Sequence, residues 1–125
     1  MRSDFADFGM ASFEVPGIPA SPNVTRTRNF HLNASQAKDW KTATIAAVGG
    51  RHPETPLPSV RLVLVALTKT RGRRDPDNFA AACKPIIDGL VLAGVLVDDS
   101  FAVIRELVVR REQADRNAVR VEVWP

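Results

Sequence analysis

One cysteine and two histidines among 125 residues leave little room for several kinds of chemistry. The lone Cys83 cannot close an internal disulfide, and with His31 and His52 it makes no zinc set of familiar spacing. No apolar run approaches the roughly 20 residues that a membrane-spanning helix requires, so no membrane partner is expected. Residues Met1 to Ala11 lack the basic-then-apolar order of a secretory leader, and a cytoplasmic location is the expectation. Internal repeats and low-complexity stretches are missing as well.

The composition that remains, 45% hydrophobic and 25% charged, is that of a globular chain, in a length that suits one domain. Lysine and arginine outnumber aspartate and glutamate by 17 to 14, a net charge of +3, which is by itself a weak sign of a nucleic-acid partner. The distribution carries more. Lys69, Arg71, Arg73 and Arg74 fall in one six-residue window, with Asp75 and Asp77 directly behind them. A basic run alone reads best as a solvated loop. One that carries both phosphate-binding cations and metal-binding carboxylates can hold the same polyanion twice, because guanidinium suits phosphate and hard carboxylate oxygens suit Mg²⁺.

The organisation along the chain predicts a small α+β domain from residue 12 to 125, a mixed β-sheet packed against two main helices, after a disordered tail over 1–11. Phe13 to Val15 begins a short strand that Pro16, Gly17 and Pro19 end. Arg26 and Arg28, in the polar stretch Ser21 to Asn29, are possible DNA-backbone contacts. A first helix, capped by Asn33 or Ser35, runs to about Val48, with Ala37, Trp40, Thr44 and Val48 on its core stripe. Val60 to Leu67, apolar except for Arg61, reads as a buried strand. A second helix starts at Pro76 with Asp75 as N-cap and runs to about Ala93, where Gly94 ends it. Val103 to Arg111 and Val119 to Trp124 read as an antiparallel hairpin turning at Asp115-Arg116-Asn117.

The second helix separates core from chemistry. At about 100° per residue, Phe79, Cys83, Ile86, Ile87 and Leu90 share an apolar sector, while Asp77, Lys84 and Asp88 lie on the other side. Lys84 and Asp88 alone make an ordinary i, i+4 pair. Asp75 before them and the Asp98-Asp99 turn after them favour a site. Carboxylates converging without a cation would raise one another's pKa, and bound Mg²⁺ relieves that. Two ions about 4 Å apart would activate water and stabilise the leaving oxygen of a phosphodiester, with a lysine supporting the phosphoryl charge. The other notable side chains have plainer readings: His31 and His52 as loop residues, Cys83 as packing, Trp40 and Trp124 as core or interface, and Asn78 as a loop-ordering residue.

Three stretches resemble the RusA-type Holliday junction resolvases, or crossover junction endodeoxyribonucleases: Arg73-Arg74-Asp75-Pro76-Asp77-Asn78, Lys84-Pro85-Ile86-Ile87-Asp88, and Ala93-Gly94-Val95-Leu96-Val97-Asp98-Asp99-Ser100. The family pattern is D-x-D-N, a lysine with an aspartate four residues on, and an A-G-V/I-x-x-D-D turn. Pro19-Ala20-Ser21-Pro22-Asn23 resembles the family's early P-x-S-x-N stretch more loosely. The resemblance implies a homodimeric nuclease, often of phage or prophage, that nicks four-way DNA junctions in recombination and repair with Mg²⁺. It further implies Asp75, Asp77 and Asp99 as metal-binding catalytic aspartates and Lys84 as the catalytic lysine. Motif order points to Asp99 rather than Asp98. One departure stands out: the family's lysine follows D-x-D-N about one helical turn sooner, where this chain has Ala81. Lys84 keeps its spacing to Asp88, as a three-residue insertion at the helix start would leave it.

Two other classes compete. A non-catalytic protein that binds branched DNA would use the basic loop alone, yet it gains nothing from concentrated negative charge. Other Asp-x-Asp enzymes fit poorly, because haloacid-dehalogenase phosphatases place that motif after an apolar strand and nucleotide-sugar transferases need a larger domain.

Overall fold

Val60 to Thr68 has no polar face to offer water, so a strand formed there must be covered on both sides and paired on both edges. The computed structural model describes residues 9–20 and 30–125 and meets this demand. Strand β2 (Val60–Thr68) lies between β3 (Ile104–Gln113), parallel to it, and β4 (Ala118–Trp124), antiparallel. Strand β1 (Ala11–Pro16) adds antiparallel to the far edge of β4, for the order β1-β4-β2-β3. Helix α1 (Phe30–Val48) precedes β2, and α2 (Pro76–Ala82) and α3 (Lys84–Leu92) form the crossover from β2 to β3. The result is a small α+β fold.

Alternation sorts the two faces of the sheet. Phe13 and Val15 of β1, Leu62 and Leu64 of β2, and Val119, Val121 and Val123 of β4 join the helix residues Val48, Ile86 and Leu90 in the main core. Val63, Val65, Leu67 and Ala118 make a smaller cluster from the opposite parity. Each large side chain so buried contributes about 1.5–3 kcal/mol relative to exposure. Trp40, Thr44 and Val48 do lie on the packed stripe of α1, Thr44 donating to the carbonyl of Trp40 at 2.8 Å.

Five local expectations need correcting. The segments Val103 to Arg111 and Val119 to Trp124 are strands but not a hairpin: β2 runs between them. A tight turn permits pairing without enforcing it, and the doubly buried β2 gains more from the central place than β3 and β4 would from each other. The second helix is broken at Cys83, whose φ of −82° and ψ of 2° end α2 and start α3. The cause is Pro85, which has no N–H to donate to the carbonyl one turn back and whose ring crowds it. Strand β1 begins at Ala11, which is buried, so residue 11 belongs to the sheet and not to a tail; residues 1–8 lie outside the described residues. Helix α1 starts at Phe30, so His31 lies in it rather than in a loop, and Asn33 and Ser35 lie inside it rather than at its cap.

Close packing of α1 on α3 depends on Gly89. A Cβ at this position would stand 2.7 Å from Cβ of Thr44 and 3.1 Å from the carbonyl oxygen of Lys41. Replacing glycine in a helix ordinarily gains up to about 1 kcal/mol, but overpacking costs about 1–3 kcal/mol. Gly89→Ala is therefore expected to destabilise the protein, seen as a lower urea midpoint with an unchanged denaturant slope.

Candidate functional site

The acidic turn is placed by the way α3 ends. Ala93 closes the helix, Gly94 takes a φ of 81° and Val95 follows buried. The N–H of Gly94 reaches the carbonyl of Val91 at 3.1 Å and that of Val95 reaches Leu90 at 3.0 Å, the paired bonds of a Schellman ending. Leu57 then brackets the next residues, donating to Val95 at 2.9 Å and accepting from Val97 at 3.1 Å. Beyond, the N–H groups of Val103 and Ile104 both bond the carbonyl of Ser100. Asp98 and Asp99 thus sit in a turn held from both sides.

That turn returns to the start of α3. The Lys84 ammonium bonds Asp88 at 2.6 Å and also pairs with Asp99. The bonds to Asp88 and Asp99 hold the Lys84 pKa above its ordinary value, and the Lys84 ammonium holds the Asp99 carboxyl below its own. Because these side chains face water, the pairing fixes geometry more than it stabilises the fold. Behind it, Cys83 is fully buried and its thiol is pushed up to about 12, which fits a packing residue and not a nucleophile.

The second part of the site lies at the other end of the crossover. Asp75 occupies the N-cap position of α2, its carbonyl accepting from Phe79 at 3.0 Å, but its carboxylate makes no capping bond. The carboxylate instead takes a 3.2 Å bond from Arg73. Asp77, in the first turn of α2, is exposed. Of the expected site residues, the structure joins Lys84, Asp88 and Asp99; it does not draw Asp75, Asp77 and Asp99 into one cluster. Among the described residues no three of His, Cys, Asp and Glu form a metal-holding group.

The basic loop has an anchor that local reading of the sequence missed. Arg111 of β3 donates to the Thr68 hydroxyl at 3.1 Å, to the Thr70 carbonyl at 2.8 Å and to the Gly72 carbonyl at 2.7 Å. The Lys69 N–H bonds Asn117 at 2.9 Å, and Arg71 bonds Gln113 at 3.1 Å. Lys69, Arg71, Arg73 and Arg74 are all exposed, displayed on a loop whose backbone is tied down. Arg111 lies 41 residues from Thr70, so no local pattern could reveal it. Arg26 and Arg28 lie outside the described residues.

No protein-family model matches the chain, and no curated protein matches it either. Among the described residues, no helix is long and apolar enough to cross a membrane.

The sign of the Asp99 and Lys84 shifts gives a testable titration. A depressed carboxyl contributes stability above its ordinary value of 3.8, lost as pH falls through the lower folded value. A raised ammonium contributes below its ordinary value of 10.5, lost as pH rises through the higher folded value. The pair is therefore intact across the whole interval between. In an NMR titration of side-chain carboxyls, Asp99 is expected to titrate below 3.8, and Lys84→Met to move it upward. An Asp99 midpoint unmoved by Lys84→Met would mean the ion pair does not form.

Proposed function

We propose that this protein is a Mg²⁺-dependent, structure-selective DNA endonuclease that resolves four-way junctions, as its resemblance to the RusA-type resolvases implies. The observation that carries this reading is the joining of Lys84, Asp88 and Asp99 from two separate elements, beside a crossover that opens with a basic loop and Asp75. An amphipathic helix explains a lysine and an aspartate four residues apart. It does not explain why a turn eleven residues farther on, held by its own backbone bonds, returns a carboxylate to the same ammonium.

The donors suit Mg²⁺ chemically. They are carboxylates open to water, and this ion keeps several waters and takes one or two carboxylates together with phosphate oxygens. The resemblance assigns the ion to Asp75, Asp77 and Asp99, which suit it by donor type although this structure does not gather them into one cluster. When bound, the metal supplies an activated water and stabilises the leaving oxygen.

The remaining roles fall to the chain's own groups. Lys84 orients Asp99 and presents positive charge to a phosphoryl oxygen that gains charge in the transition state. Arg73 orients Asp75 through its 3.2 Å bond. Lys69, Arg71 and Arg74 hold the DNA backbone, where each phosphate contact displaces condensed counterions and makes binding salt-sensitive. A homodimer would present two such sites to the two-fold junction.

One observation favours a second reading. Lys84 already neutralises Asp88 and Asp99 in part, so these acids could brace the turn in a protein that binds branched DNA without cutting it.

Incubating a labelled four-way junction with and without Mg²⁺ separates the two. Paired nicks that require Mg²⁺ are expected, with Asp77→Asn and Asp99→Asn each slowing them by roughly 10²-fold or more, the scale at which loss of one catalytic group is felt. Tight binding with no cleavage under any metal would leave the binding protein. In either case Lys69→Gln is expected to reduce the slope of log affinity against log salt by about 1.

A further inference from the structure

Two cavities adjoin Asp75. One of about 240 Å³ lies between the start of α2 and β3, walled with carbon by Ala66, Pro76, Phe79 and Val109, and completed by Arg74 and Arg110. A second, of about 250 Å³, shares Arg74, Asp75 and Phe79 and extends towards Asn78. Most of the protein's described arginines are committed elsewhere. Arg71, Arg73, Arg105, Arg111, Arg116 and Arg120 all bond protein acceptors, and Arg61 pairs with Glu106. Arg74 and Arg110 are exposed and make no hydrogen bond or ion pair among the described residues, though the charge of Arg110 helps hold the Glu112 carboxyl below its ordinary value.

A carbon-walled cavity flanked by two exposed guanidiniums that make no hydrogen bond to the protein suits a ligand with an apolar body and an anionic group. A neutral peptide would leave the guanidiniums unused, and a free phosphate would leave the cavity empty. A nucleotide answers both. Its base fills a carbon-lined space, while guanidinium forks a phosphate or stacks on the base plane.

We propose that the cavity between α2 and β3 seats one extruded nucleobase of the DNA, with Arg74 and Arg110 holding its flanking phosphates. This rests on the DNA-cleaving reading and adds what the site recognises. A base inside a duplex is paired and stacked on both faces, so it cannot enter such a space without first leaving the stack. Unstacking is least costly where pairing is already interrupted. The cavity therefore gives the protein a preference for branch points without any reading of sequence, and it places the extruded nucleotide against Asp75.

The test uses the full chain with a four-way junction carrying 2-aminopurine at the branch, in EDTA so that binding is read without cleavage. 2-Aminopurine brightens when it leaves the stack. Saturating wild-type protein is expected to raise its fluorescence several-fold on the junction and to leave it unchanged in a matched duplex. Arg110→Gln and Arg74→Gln, checked by circular dichroism for an unchanged fold, are expected to lose more than half of that rise at saturation. Lys69→Gln, outside the cavity, is expected to weaken binding yet retain the full rise once saturated. A full rise in both cavity variants, or wild-type saturation by anisotropy with no rise, overturns the proposal and leaves the DNA reading standing. Failure of the wild type to bind junction and duplex alike overturns both.

Discussion

A strand that is apolar on both faces has only one kind of place to go, and the location of β2 governs the rest of the molecule. From Leu62 to Leu67 every side chain is buried, the even positions against the main core and the odd ones in the smaller cluster. Pairing on both edges follows, and it puts β3 beside β2 in parallel. A parallel neighbour cannot be reached by a tight turn, so the chain must cross over, and the crossover is what carries the site.

The two ends of that crossover have different tasks. At its start, Arg111 reaches from β3 to three acceptors between Thr68 and Gly72, so the loop displays its cations from a fixed backbone. At its end, the Schellman turn and the Leu57 bonds return Asp99 to Lys84. The first arrangement depends directly on the pairing of β2 with β3: were they apart, Arg111 would lose its acceptors in the loop. Sheet topology and site geometry are one constraint seen from two sides.

Much of this was legible in the sequence wherever a local rule was strong. The apolar run interrupted only by Arg61 gave away β2, the alternation of Val119, Val121 and Val123 gave away β4, and Gly94 gave away the end of the helical crossover. The apolar sector of Phe79, Cys83, Ile86, Ile87 and Leu90 was readable too, and all five are buried. The partnership of Lys84 with Asp88 follows from helix spacing, but its link to Asp99 needed the turn. What stayed hidden was non-local. Adjacent strands with a turn between them look like a hairpin unless one knows that a third strand needs the place between them. Pro85 did carry a local signal for the helix break, and the apolar sector that continues on either side of it conceals that signal. The anchoring role of Arg111 joins residues about 40 positions apart and leaves no trace in any window of sequence.

The strand order also sets a timetable. Among the described residues β1 pairs as a strand with β4, and β2 with β3 and β4, so both early strands wait for partners made later in the chain. During synthesis, the nine residues of β2 emerge well before Ile104 and remain without a neighbour on either edge. Until Ala118 to Trp124 is available, β1 lacks the one strand it pairs with among the described residues. Folding of this domain is thus ruled by contacts distant in sequence, and a nascent chain halted before β3 presents a bare apolar strand to whatever chaperone or aggregate meets it first.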